Sequence, residues 1–190
     1  LLADSLKPFD LNRRGIVLGE AVGAVILSAG DPRAPGIHIA AGASNIDSYR
    51  VTTAHPDGRT IAALQETVLA QASADRREIR GIKTHGTASP MNDTGEAAGI
   101  RRVFDQMPPV CALKPYVGHT LGACGVTELV LMAAALGTGF LPATTGFETV
   151  DPALMINPVR DERVADPGFY LLNYFGFGGH NTALLLEKRA

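Results

Sequence analysis

Charge is too evenly mixed in this chain for several functions. Seventeen lysines and arginines stand against 19 acidic residues among 190, a formal net charge of −2. No Lys/Arg cluster occurs, so the sequence offers neither the footprint of a nucleic-acid binder nor a basic membrane patch. Cysteine is scarce: Cys111 and Cys124 have neither metal-ligand spacing nor the look of a disulfide framework. No metal site is predicted, and a reducing, cytoplasmic location is expected. No signal-peptide pattern and no apolar run of bilayer length are read from the sequence, so no membrane association is expected. Internal repeats and low-complexity segments are lacking too. The chain opens Leu-Leu-Ala-Asp with no methionine, which reads as a fragment or a processed product.

What is present is an ordinary globular composition, 46% hydrophobic and 19% charged. At this length the chain can bury a core as one domain, or form a large half of a bigger one. Taken in order, residues 7–14 (KPFDLNRR) are a turn-rich lead-in. Residues 15–18 and 23–27, rich in Val, Ile, Leu and Ala, read as two strands apolar on both faces. GDPRAPG at residues 30–36 is the best internal boundary. A short strand is expected at residues 37–43.

Thr60 can cap a helix to about Ser73, with Ile61, Leu64 and Val68 on one stripe. A strand at residues 79–84 delivers His85. Asp93 and Glu96 have capping-box spacing for a helix ending near Phe104. A strand at residues 109–113 leads to Lys114, and a helix over residues 121–136 is expected to bury Val126, Leu129, Val130 and Ala133. Residues 140–160 show little periodicity, and residues 170–173 and 182–187 form a closing strand pair. Strands alternate with helices through much of the chain, which predicts an α/β fold.

Two histidines stand apart. His119, in LKPYVGHTLGACGVTE, has Gly118 before it and Gly122 three residues after, so the backbone can turn sharply and be approached closely. The helix that follows aims its N–H groups back toward this turn, where negative charge is favoured. His85, in KTHGTASPMND, likewise precedes a glycine at the end of a strand. Two such histidines with Lys114 can hold and protonate a thioester-like or carboxylate substrate. A lone histidine beside glycine is more often a structural hydrogen-bonder, and His38, His55 and His180 are read as structural.

Four motifs, in order, resemble the β-ketoacyl synthases of the thiolase fold. KPFDLNRRGIVLGEAVGAVIL is similar to the strand-turn-strand closing that family's N-terminal half. KTHGTASPMNDTGEA resembles its first histidine motif, LKPYVGHTLGACGVTE its lysine and second-histidine motif, and NYFGFGGHN its glycine-rich closing loop. The resemblance implies a layered α/β/α/β/α fold, of which residues 1–36 end the N-terminal half and residues 37–190 form the C-terminal half.

It also implies a β-ketoacyl-acyl carrier protein synthase, an acyltransferase that condenses an acyl thioester with malonyl-acyl carrier protein in fatty acid or polyketide-type synthesis. By that resemblance His85, His119 and Lys114 are the catalytic residues, with Glu128 and Phe175 supporting them, Phe175 as a gate to the acyl-chain entrance. Thr87 and Ser89 match the hydroxyls that contact pantetheine. No cofactor is implied beyond the phosphopantetheine arm that carries the substrates. The implied partners are acyl carrier protein, a homodimeric or heterodimeric ketosynthase mate, and an N-terminal half not present here.

The chemistry fits. Decarboxylation of a malonyl thioester leaves an enolate, and two neutral imidazole donors aimed at its oxygen stabilise it. A nearby lysine disfavours imidazolium. The alternating hydroxyls of Thr87 and Ser89 fall on one side of an extended segment and can bond the amides of a carrier arm.

The family's nucleophilic cysteine motif lies upstream of this sequence. Cys111 and Cys124 lack its context and read as small hydrophobes, so this chain alone is expected to be inactive in condensation. His180 stands where threonine is usual. A non-catalytic partner subunit, like a chain-length-determining half of a heterodimer, is the alternative.

Overall fold

A computed structural model describes residues 2–31 and 33–190. Part of the boundary expected at residues 30–36 falls on Pro32, outside the described residues. The long elements are strand β1 (Gly36–Ile46), helix α1 (Arg59–Gln71), β2 (Ile79–Lys83), α2 (Pro90–Val103) and β3 (Val110–Cys111). After a single turn, α3 (Lys114–Val117), come α4 (Cys124–Thr138), a small pair β4 (Phe140–Leu141) and β5 (Arg163–Val164), and finally β6 (Gly168–Phe175) and β7 (His180–Arg189).

Five strands form one sheet in the order β1-β7-β6-β2-β3. β7 runs antiparallel to both neighbours, whereas β6, β2 and β3 are mutually parallel. Alternation along the strands separates two apolar layers. Leu171, Ala183 and Leu185 pack with α1 and α2 on one face. Tyr170, Leu172, Tyr174 and Leu186 face the other way, toward Met132 and Leu136 of α4 and Leu141 of β4. The α/β expectation holds, and the parallel trio ends together at one edge. The residues after β2, β3 and β6 (His85, Lys114 and the Phe175–Gly176 turn) all emerge there.

Several local expectations are corrected. The two apolar strands at residues 15–18 and 23–27 do not form as strands. The first makes only isolated bridges, Leu2 to Ile16 and Leu18 to His119. The second has no ladder partner among the described residues and leaves Ile26 nearly fully exposed and Leu27 largely so. β-propensity without a neighbouring strand makes no ladder. β1 is longer than the seven residues expected, because its whole length pairs with β7.

α1 is entered from Gly58 in the left-handed region (φ 68°), not capped by Thr60, though Ile61, Leu64 and Val68 are buried as predicted. α2 begins three residues before Asp93, so Asp93 and Glu96 do not cap it; both carboxyls turn inward. The buried face of α4 is Glu128, Met132, Ala135 and Leu136, while Val130 is 41% exposed and Val126, Leu129 and Ala133 are half-buried. Residues Leu121–Thr138 form 18 helical residues with mean hydropathy 1.6, long and apolar enough by length and composition to cross a membrane. That corrects the reading that no such run exists. The helix is nevertheless tied to the sheet layer at its centre, where Glu128 is clamped between two buried lysines.

Candidate active site

His85 arrives by a short route. β2 ends at Lys83, Thr84 is pinned to β3 by its hydroxyl and its N–H, both on the Cys111 carbonyl, and His85 follows. Its backbone is held by Glu96, which accepts from the N–H groups of His85 at 2.8 Å and Gly86 at 3.0 Å, and from the Asn173 amide at 3.0 Å. Burial pushes the Glu96 carboxyl above its usual range, against the pull of these three donors. Asp93 accepts from the Phe9 N–H at 2.8 Å while its other oxygen has no partner. Burial raises it to about 7. A capping-box spacing thus conceals one anchor for the loop that carries His85, Glu96, and one for the lead-in at Phe9, Asp93.

His119 is held by the segment that precedes β1. Its N–H donates to the Val17 carbonyl at 2.7 Å, and its carbonyl accepts from the Gly19 N–H at 3.1 Å. Gly118 sits at φ 74°, and a Cβ there would come within 2.7 Å of the Gly19 nitrogen, so the close approach inferred for this glycine is real. His119 Nδ1 takes the Leu121 N–H at 3.2 Å, which leaves Nε2 as the donor nitrogen of the neutral ring.

The two imidazoles meet edge to face, centroids 5.5 Å apart at 84°, and the Phe175 ring lies 5.4 Å from His85. His85, His119, Thr87, Ser89 and Phe175 all line one cavity of about 540 Å³. Lys114 and Glu128 do not line it; they stand behind it, fully buried. The Lys114 ammonium donates to the His85 carbonyl at 2.5 Å and to Glu128 at 2.8 Å, and lies 3.2 Å from His85 Nδ1.

Burial, then Lys114 and Lys83, hold His85 well below the ordinary histidine range. Burial and Lys114 bring His119 down to about 4. Burial also lowers Lys114, partly offset by Glu128. Burial works to raise Glu128, but the two lysines overcome it and hold the carboxylate below its usual range. The outcome is two neutral imidazoles on a mostly apolar wall, with cationic charge directly behind. Such a site stabilises an oxygen that gains negative charge while leaving nothing nearby to quench it prematurely.

Thr87 and Ser89 are on the wall, but not in the extended segment expected. Ala88 between them has φ 60°, and the two hydroxyls hydrogen-bond each other at 3.0 Å. Lys83 joins the site without being among the residues that the sequence points to. It is fully buried, donates to Glu128 and to the Asn173 carbonyl at 2.8 Å, and lies 3.7 Å from the centre of the Tyr174 ring. Its one sequence signal is its place, a lysine in a buried strand two residues before the histidine. Among the described residues no cluster of three or more metal-ligating side chains occurs.

Comparison with known proteins identifies the family and the fold. Residues 37–148 match the family model for the beta-ketoacyl synthase C-terminal domain. The chain is 34% identical to the chloroplastic 3-oxoacyl-[acyl-carrier-protein] synthase II of Arabidopsis thaliana, over 94% of this chain and 35% of that protein. It is 33% identical to the tetracenomycin polyketide synthase ketoacyl synthase alpha subunit of Streptomyces glaucescens, over 98% of this chain and 46% of the relative. The ishigamide ketosynthase/chain length factor superposes with a TM-score of 0.86 at 27% identity, covering 100% of this chain and 48% of that one. The chain therefore spans from about a third to about half the length of the proteins it matches. The thiolase-like α/β fold implied by the motifs is shown, and the chain belongs to the β-ketoacyl synthase family, within its C-terminal portion.

Proposed function

We propose that these residues are the C-terminal part of a β-ketoacyl-acyl carrier protein synthase and carry its decarboxylation step. The observation that carries this reading is the pair of neutral imidazoles, His85 and His119, edge to face on one cavity wall with Lys114 behind them. A malonyl thioester bound there loses carbon dioxide, and the negative charge collects on the thioester oxygen between the two ring N–H groups. Burial and Lys114 keep His85 unprotonated, so that it donates a hydrogen bond instead of a proton.

Phe175 borders the acyl-chain entrance, and the Thr87 and Ser89 hydroxyls face the carrier arm. Each can turn from its mutual bond to a pantetheine amide. Acyl carrier protein is the delivering partner, as the name of the Arabidopsis relative suggests. The nucleophilic cysteine belongs to an N-terminal half, and the working enzyme is a dimer of ketosynthase chains. Domain division near residue 36 follows from the same reading, as does a cytoplasmic location, although the Arabidopsis relative is chloroplastic.

The non-catalytic partner subunit has no need of two neutral histidines braced by a buried lysine, so the enzyme is favoured. The test is malonyl-thioester decarboxylation by the intact enzyme carrying these residues. His119→Ala is expected to lower it by about 10²–10³, and undiminished decarboxylation would reject the reading.

A further inference from the structure

Lys83 is a second buried lysine at a site whose lysine is already supplied by Lys114. The two share one carboxylate, Lys83 on Glu128 Oε2 and Lys114 on Oε1. Burying two ammonium groups against one carboxylate is a poor way to stabilise a fold, since the desolvation of the ions offsets most of the attraction. The other contacts of Lys83 lead back to the histidines. It donates to the Asn173 carbonyl, and the Asn173 amide bonds the same Glu96 oxygen that holds the His85 N–H. Two residues along β6 stands Phe175, whose ring contacts His85.

We infer that Lys83 is a positioning residue for the histidine pair: it shares Glu128 with Lys114 and holds Asn173, fixing Lys114 against His85 and keeping a second cation behind the imidazoles. This rests on the proposed reading of His85 and His119 as donors to the enolate.

The titratable and charged groups packed around His85 are Lys83 on β2, Glu96 on α2, Lys114 on α3, His119, and Cys124 and Glu128 on α4. Glu96 is spent on three N–H donors and Glu128 on the two lysines, so after burial itself it is the lysines that oppose imidazolium at His85. Without Lys83, Glu128 leans on Lys114 alone, Lys114 moves off His85, and one of the two opposing cations is gone.

The experiment measures malonyl-thioester decarboxylation in the intact enzyme from about pH 4.5 to 8, with thermal melting at each pH. The proteins are wild type, Lys83→Met, Lys83→Gln, Lys83→Arg and, as reference, His119→Ala. Lys83→Met is expected to lower kcat on the order of tenfold with little change in KM. It is also expected to move the acid limb of the rate profile up by about one pH unit, because His85 takes a proton more readily. Lys83→Arg keeps the cation and returns the limb toward its wild-type position. Where the methionine variant does not fold, Lys83→Gln, which keeps a donor for Asn173 but no charge, carries the same test.

A purely structural lysine changes the melting temperature and leaves the limb in place. An unmoved limb in a folded Met or Gln variant, with His119→Ala inactive, overturns the inference. Decarboxylation surviving in His119→Ala overturns the reading beneath it instead.

Discussion

A Cβ placed on Gly19 would lie 1.9 Å from the Val117 carbonyl oxygen, so the segment before the first long strand and the loop of His119 touch backbone to backbone. Gly19→Ala must push the two apart and break the pair of hydrogen bonds that hold His119. The expected cost is about 1–3 kcal/mol, read as a lower melting temperature together with loss of decarboxylation. Gly137→Ala is the counter-case. A Cβ there meets nothing within 4 Å inside α4, and the variant is expected to gain up to ~1 kcal/mol.

Asp93 gives stability a pH dependence of identifiable sign. Its folded-state pKa of about 7 lies above the ordinary carboxyl value of 3.8, so the folded protein binds the extra proton between these values. The stability it contributes is fully present below about 4 and is lost as pH rises through about 7. Asp93→Asn stays neutral throughout. In urea titrations its advantage over wild type should grow from pH 5 to pH 8; an advantage constant with pH would mean that Asp93 does not titrate there.

His119 runs in the opposite sense. Its pKa is depressed from 6.5 to about 4, so the unfolded chain takes the proton first. Stability is present above about 6.5 and is lost as pH falls toward 4. His119→Gln, which keeps a polar ring-sized group without the titration, should flatten the acid loss of stability seen by urea denaturation at pH 4.5 to 6.5.

Glu128→Gln leaves Lys83 and Lys114 facing each other in a dry layer with no anion between them. The expected loss is about 3–5 kcal/mol of folding stability, measured by chemical denaturation. A variant within a few tenths of wild type would show that the two buried lysines do not depend on this carboxylate.

The two thiols should behave differently toward alkylation. Burial raises Cys111 to about 12 and leaves it no exposed surface. Cys124, though also raised by burial, lines the cavity beside the histidines. Iodoacetamide followed by peptide mass analysis should find the adduct on Cys124 and none on Cys111 in the folded protein.

Much of this was legible in the sequence because local signals and tertiary needs agree. The stripe Ile61, Leu64, Val68 matched the buried face of α1, and the strands around FGFGGHN paired as expected. All the residues chosen for the site converged on one cavity or stood directly behind it. The failures share a cause, which is that side-chain direction is set by partners distant in sequence. α4 is apolar around most of its girth, so periodicity names no face; the ion pairs of Glu128 choose it. Asp93 and Glu96 have the spacing of a cap, yet the backbone N–H groups of Phe9, His85 and Gly86 claim them. A lysine in a strand reads as a solvent-facing edge, and only Glu128, 45 residues away, shows why Lys83 points inward.

The parallel order of β6, β2 and β3 has a consequence for how this chemistry can change. Because the three strands finish at one edge, His85, Lys114 and the turn at Gly176 hang from three separate loops above the sheet, while Lys83 and Phe175 stand on the strands themselves. Any loop can be rewritten without re-pairing a strand, so substrate preference is free to drift. The register of β2 is not. A slip of one residue would turn Lys83 into the leucine and isoleucine layer and Ile82 toward Glu128. The loops are where such a site can vary, and the hydrogen-bond ladder beneath them is where it cannot.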